Sequence, residues 1–181
     1  MNDAHLLSPL IGPIAMAVAL LAAAIDAQHR RIPNWLTFGA WLAALPLQVA
    51  IYGLGHGALV WGAGWLTGLA IFLPFYALRG MAAGDVKLMA AVGAWLGASM
   101  AFEIALATFV IGGLWALAIT IRSRRMAQLR RNLRSVLLTS GQISRQAPTP
   151  DAEADASWSV GSLPYGVAIA AGTIAVLFAS S

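Results

Sequence analysis

Residues Leu88 to Ile121 make about 34 residues of almost unbroken apolar sequence. A single helix of that length would reach about 50 Å, whereas the hydrocarbon core of a bilayer is about 30 Å thick. The run must therefore break, and Gly97-Ala98-Ser99 offers the place. This predicts a short span over 85–97 and another over 100–121. Further apolar runs cover 6–25, 34–52, 58–78 and 163–179. With 60% of its 181 residues hydrophobic and 10% charged, the chain falls outside the range of soluble globular domains. The expectation is an all-α polytopic membrane protein: one membrane domain, residues 1–181, built as a bundle of about six transmembrane helices.

The positive charges support the break. With six spans all eleven Lys and Arg fall on one side: Arg30 and Arg31, then Arg79 and Lys87, then those between Arg122 and Arg145. With five, the densest basic segment would cross to the opposite face. The same rule puts the N-terminus outside and these loops inside. Because the basic residues adjoin the ends of apolar runs, the net charge of +4 reads as orientation, and no nucleic-acid partner is expected. Ala22-Ala23-Ala24 resembles a signal-peptide cleavage site, but Met1 to His5 carries no Lys or Arg, so a retained span is preferred. The chain has no cysteine and three scattered histidines, His5, His29 and His56, and neither a metal nor a cofactor is expected.

Local signals punctuate the spans. Pro33 suits a helix start, Pro46 a kink and Pro74 a break near the end of the third span. Gly53 to Gly57 reads as a tight turn, and Gly64 with Gly68 as a small-residue pair that admits a close neighbouring helix. Arg124 to Leu138 sets Met126, Leu129 and Leu133 beside Arg130, Arg131 and Arg134, the pattern of an amphipathic helix on anionic membrane lipid. A calmodulin-like or nucleic-acid target is the less favoured reading of that segment. Residues 140–159 read as a linker, and Ser162 and Pro164 as the start of the last helix.

Two acids stand out against this background. Asp26 closes the first apolar run, and Asp85 opens the fourth, preceded by Ala82-Ala83-Gly84. A charge at the edge of an apolar span is costly and needs a reason. If the two helix ends meet, the carboxyls would share one proton; one acid would activate a water for attack on a peptide carbonyl while the other donates to the carbonyl oxygen. The small residues leave room for an extended substrate, and Lys87 could bias Asp85 toward ionisation. The plainer readings stay open: Asp85 as a helix N-cap with Lys87 as a topology charge, Asp26 as a solvated helix end, His29 and Glu103 as interfacial residues.

Asp26 followed by Ile32-Pro33-Asn34, then Gly84-Asp85-Val86-Lys87-Leu88, then Leu163-Pro164-Tyr165-Gly166-Val167-Ala168 resembles the type IV prepilin peptidases, aspartic proteases of the bacterial inner membrane. The resemblance runs over nearly the whole chain. It implies that Asp26 and Asp85 are catalytic, with Gly84, Lys87, Pro164, Tyr165 and Gly166 shaping the loops or lining the substrate. The first glycine of the family's Gly-x-Gly-Asp motif is Ala82 here. The family's larger members carry a cysteine-paired cytoplasmic region associated with N-methylation, so the likeness is to the short, cleavage-only subgroup serving tight-adherence (Flp) pili. The implied substrates are prepilins and pseudopilins, cut at the cytoplasmic face behind a basic leader ending in glycine. The rival class is a small proton-coupled transporter using the same acids, and a third is a structural membrane scaffold.

Overall fold

In the computed structural model the described residues are 4–78, 80–122 and 165–180, and their regular structure is helical throughout. They form α1 (Ala4–His29), α2 (Asn34–Tyr52), α3 (Leu54–Ala77), α4 (Ala83–Leu96), α5 (Ala98–Arg122) and α6 (Tyr165–Ala179). Arg79, the amphipathic segment expected over 124–138, the linker at 140–159, Ser162 and Pro164 lie outside the described residues. The chain divides into two compact units, Met1–Ile111 with Pro164–Ser181 and Gly112–Leu163. Of the second, the described part is the helical stretch 112–122. The first unit carries the core and the candidate site.

Its axis is α4. Ten of the fourteen residues of this helix are buried, Asp85 among them. It packs against α1, α2, α3 and α6. A helix so surrounded can be apolar on every side, which is why its sequence shows no amphipathic stripe. At about 1.5 Å per residue it is roughly 21 Å long, short of the hydrocarbon thickness. Among the described residues, four helices are long and apolar enough to cross a membrane: α1 from Pro9, α2, α3, and α5 as far as Ala118. The chain is thus an all-α polytopic membrane protein in which long outer helices enclose a short central one.

Two single-residue joints set the connections. Gly53 between α2 and α3 has φ 82° and ψ 165°, and Gly97 between α4 and α5 has φ 83° and ψ 174°. That region is open in practice only to glycine. Each joint donates its N–H to the carbonyl four residues back, Val49 or Gly93, at 2.9 and 2.8 Å. The run at 88–121 therefore breaks at Gly97. The tight turn expected over Gly53 to Gly57 contracts to Gly53, because Gly57 is already inside α3 with its N–H on the Gly53 carbonyl.

Close approach of α3 to α4 depends on glycine at another level. The buried residues of α3 are Gly57, Gly64, Gly68 and Phe72, a single stripe. A Cβ on Gly64 would overlap the Gly93 carbonyl, and one on Gly68 would lie 2.5 Å from the Met89 carbonyl oxygen. The backbones touch, so dispersion contact between main chains replaces side-chain interdigitation. Gln48 and Trp95 complete the grip. Gln48 Nε2 donates to the Ala94 and Trp95 carbonyls at 3.2 and 2.6 Å, and Trp95 Nε1 donates to the Ala40 carbonyl at 2.9 Å.

Two local expectations differ from the structure. Pro74 does not break α3, which continues through it to Ala77, and the Pro74 carbonyl accepts the Leu78 N–H at 2.9 Å; the proline removes a single ladder bond, a loss that membrane helices tolerate. The polar turn after Ile25 is helical as far as His29, so Asp26 sits inside the last turn of α1. Arg30 closes that helix in the left-handed region at φ 53°, its N–H on the Asp26 carbonyl at 2.8 Å. For a residue with a side chain this conformation costs about 1–2 kcal/mol.

Candidate active site

The ends of α1, α4 and α6 meet around Asp26 and Asp85. Both acids are nearly closed to solvent, 6% and 5% exposed. Asp26 comes from the last turn of α1, which places its carboxyl against the start of α6. Gly166 N–H donates to Asp26 Oδ2 at 3.0 Å. A Cβ on Gly166 would lie 2.9 Å from that oxygen, so only glycine lets the α6 backbone reach the acid. Helix N-termini carry unpaired N–H groups and a partial positive charge, and a carboxylate there satisfies both.

Asp85 occupies the third position of α4, after an N-cap at Ala82. Its Oδ2 accepts the Ala82 N–H at 3.1 Å, and its own N–H donates to the Ala82 carbonyl at 3.1 Å. This is the carboxylate half of a capping box; alanine has no side-chain oxygen to supply the other half. The plain capping role is therefore real, though Asp85 fills it from the first turn and not as the N-cap. Ala82 has φ −80° and ψ 153°, ordinary extended backbone. The methyl in place of the motif's first glycine thus meets no conformational bar. Gly84 packs on the other side of the turn, where a Cβ would stand 3.2 Å from Ile32 Cβ.

The two carboxyls lie within Coulombic range of each other, and Tyr165, the first residue of α6, lies within range of Asp85. Arg30 is similarly placed to Asp26. Each acid has one oxygen engaged by a single backbone amide. Two carboxyls that feel each other's charge favour the state in which one is protonated and the other ionised, the state a general acid and a general base need. No metal or cofactor enters that chemistry.

Lys87 goes elsewhere. Successive residues on a helix are about 100° apart, so a side chain two positions from Asp85 leaves on a different face. Lys87 Nζ donates to Asn34 Oδ1 at 2.9 Å and stands 5.6 Å from the centre of the Phe38 ring. It ties α4 to the start of α2 and does not face the acid whose ionisation it was expected to bias. Asn34 and Arg30 are neighbours of the site that spacing did not single out. The sequence signal for Asn34 was the Ile32-Pro33-Asn34 run, and that for Arg30 its place among the positive charges after the first span. Pro164 lies outside the described residues.

Fold and site together define a polytopic helical membrane protein that gathers two buried aspartates where the ends of separate helices converge. Residues 14–117, which include both acids, match the type IV leader peptidase family, and the chain belongs to it. Among its relatives, a Klebsiella pneumoniae protein named prepilin leader peptidase/N-methyltransferase is 38% identical over 95 residues, 49% of this chain and 42% of that protein. Proteins of the same name from Xanthomonas campestris pv. campestris and Burkholderia pseudomallei are 31% identical over 122 residues and 32% over 125, covering 59% and 63% of this chain and 41% and 39% of theirs. The chain thus spans about four tenths of the length of the curated relatives it matches. No solved structure is matched by the chain.

Proposed function

We propose that the chain is an aspartic endopeptidase that removes the basic leader of type IV prepilins and pseudopilins. In this reading Asp26 and Asp85 are the catalytic pair: one takes a proton from a water as it attacks the scissile carbonyl, and the other protonates the carbonyl oxygen. The observation that carries it is the convergence of two buried carboxyls from α1 and α4, within range of each other's charge, inside the segment that matches the leader peptidase family. Gly166 and Ala82, through their backbone amides, orient the acids.

The finer reading is cleavage without N-methylation, at the cytoplasmic face of the inner membrane, with the N-terminus periplasmic and Flp-type pilins as substrates. The paired cysteines that the resemblance associates with methylation are lacking among these 181 residues. The basic loops after α1 and before α4 favour the inner side for the acids. A proton-coupled transporter would want polar groups linked across the bundle. The buried hydroxyls of Thr108 and Thr173 instead donate to the carbonyls of Ile104 and Ile169 in their own helices.

Co-expression with a candidate prepilin tests the reading. Wild type is expected to shorten the prepilin, and Asp26→Asn and Asp85→Asn to leave it uncut. Processing by either variant at the wild-type rate defeats the assignment, and proton flux in liposomes that depends on both acids would move it to the transporter.

A further inference from the structure

The chain that follows Asp26 is short and stiff. Residues Arg30 to Pro33 join α1 to α2, so His29 and Asn34 stand no more than about 18 Å apart even with that chain fully extended. Pro33 has the ring-fixed φ of −69° and biases Ile32 toward extended backbone. Arg30 is tied to the Asp26 carbonyl by its own N–H. A displacement of Asn34 is therefore passed on toward Asp26, with little slack between them to absorb it.

This segment is seated on the first turns of α4 at two points. Ile32 packs beside Gly84, where a Cβ would stand 3.2 Å from Ile32 Cβ, and it joins the core cluster that contains Val86. Asn34 Oδ1 accepts from Lys87 Nζ at 2.9 Å, and Phe38, one turn further along α2, meets the same ammonium at 5.6 Å. Gly84, Val86 and Lys87 bracket Asp85 along α4, while the Asp85 carboxyl itself is bonded to the Ala82 N–H.

The need for such a seat is electrostatic. Two carboxyls within range of each other repel whenever both are ionised, and a misplacement of about 1 Å in a catalytic constellation can cost about a hundredfold in rate. The Lys87–Asn34 bond is exposed, so its contribution to overall stability is small. Its leverage is on position. It joins the far end of the short segment after Asp26 to the helix that carries Asp85.

We propose that Lys87 and Asn34 are positioning residues: their hydrogen bond seats the Ile32-Pro33-Asn34 segment on α4 and thereby sets the separation of the Asp26 and Asp85 carboxyls. The proposal rests on the peptidase reading above and deepens it, because it gives a part in leader cleavage to a lysine that does not face the acids.

The test uses the full-length membrane protein and a candidate prepilin. Lys87→Met keeps an apolar stem over Phe38 and removes the donor. Its kcat is expected to fall about tenfold, with KM and the unfolding midpoint in detergent unchanged. Lys87→Arg keeps a donor and is expected to hold kcat within about threefold of wild type. Wild-type kcat in Lys87→Met overturns the proposal. So does a rise in KM alone, which would place Lys87 in substrate binding, or a loss in Lys87→Arg as large as in Lys87→Met. A second measurement does not depend on cleavage. The chain has no cysteine, and the close approach of residues 32 and 84 suits a reporter disulfide, Ile32→Cys with Gly84→Cys. Its rate of formation under mild oxidant is expected to drop about tenfold when Lys87→Met is added, and an unaltered rate overturns the seat. Failure of the wild type to shorten the prepilin counts against the peptidase reading alone, because the disulfide rate still decides whether Lys87 holds the segment on α4.

Discussion

The two ends of α4 are held in different ways. At its C-terminal end the helix is gripped by main-chain contact with α3 at Gly64 and Gly93, by Gln48 on the Ala94 and Trp95 carbonyls, and by Trp95 on Ala40. At its N-terminal end, the bond fixing the Asp85 carboxyl is local, from Ala82 three residues before it. A short, fully surrounded helix can be anchored at one end and present a side chain at the other. The anchor tolerates almost no change of volume, whereas the presenting end keeps its acid near a second acid that repels it. Stability should therefore be concentrated at one end of α4 and activity at the other.

Substitutions that separate the two properties can break this comparison. The largest effect is expected at the presenting end, where Asp85→Asn should lower leader cleavage by roughly a thousandfold, the scale of lost acid–base catalysis, with little change in the unfolding midpoint in detergent. Loss of folding in that variant would mean that the acid also supports the helix. Next is the anchor: Gly64→Ala forces a methyl into the Gly93 carbonyl and should cost about 1–3 kcal/mol of stability, read from thermal unfolding. Unaltered stability there would refute the main-chain contact.

Gln48→Leu sharpens the picture further. It strips the C-terminal carbonyls of α4 of their donor but also removes Gln48 Oε1, which is buried and without a partner. The net loss should be about 1–2 kcal/mol, with kcat/KM reduced less than in any aspartate variant. The smallest effect is expected from Ala82→Gly. It restores the motif's glycine at a position whose backbone does not require it, so cleavage should stay within about twofold, and stability should fall by no more than about 1 kcal/mol from added chain entropy. A large gain in activity would show that the methyl obstructs the substrate.

Much of this arrangement can be read along the chain, for identifiable reasons. The class of fold follows from apolar runs, since a backbone in lipid must satisfy its own hydrogen bonds and does so as helix. The small-residue pair Gly64 and Gly68 signals close packing without naming the partner, which is α4 through Gly93 and Met89. Helix ends were less legible. The polar turn from Asp26 to His29 looks like a loop by hydropathy but is helical by its hydrogen bonds, and Pro74 looks like a break but costs α3 one ladder bond without ending it.

The site divides along the same line. Asp26 and Asp85 could be singled out because a charge beside an apolar run is rare. The direction of Lys87 could not, because sequence distance from Asp85 says nothing of which face of α4 meets α2.

What the amino-acid order determined by itself is the membrane-embedded helical class, the glycine-dependent turn at 97 and the identity of two costly acids, all of them consequences of composition within a few residues. What only the tertiary structure decided is which helix ends converge: α6 delivering the Gly166 N–H to Asp26 across 140 positions, Lys87 joined to Asn34 across 53, and α4 chosen as the enclosed helix. Those choices depend on packing between surfaces distant in the chain, and no local pattern of residues encodes them.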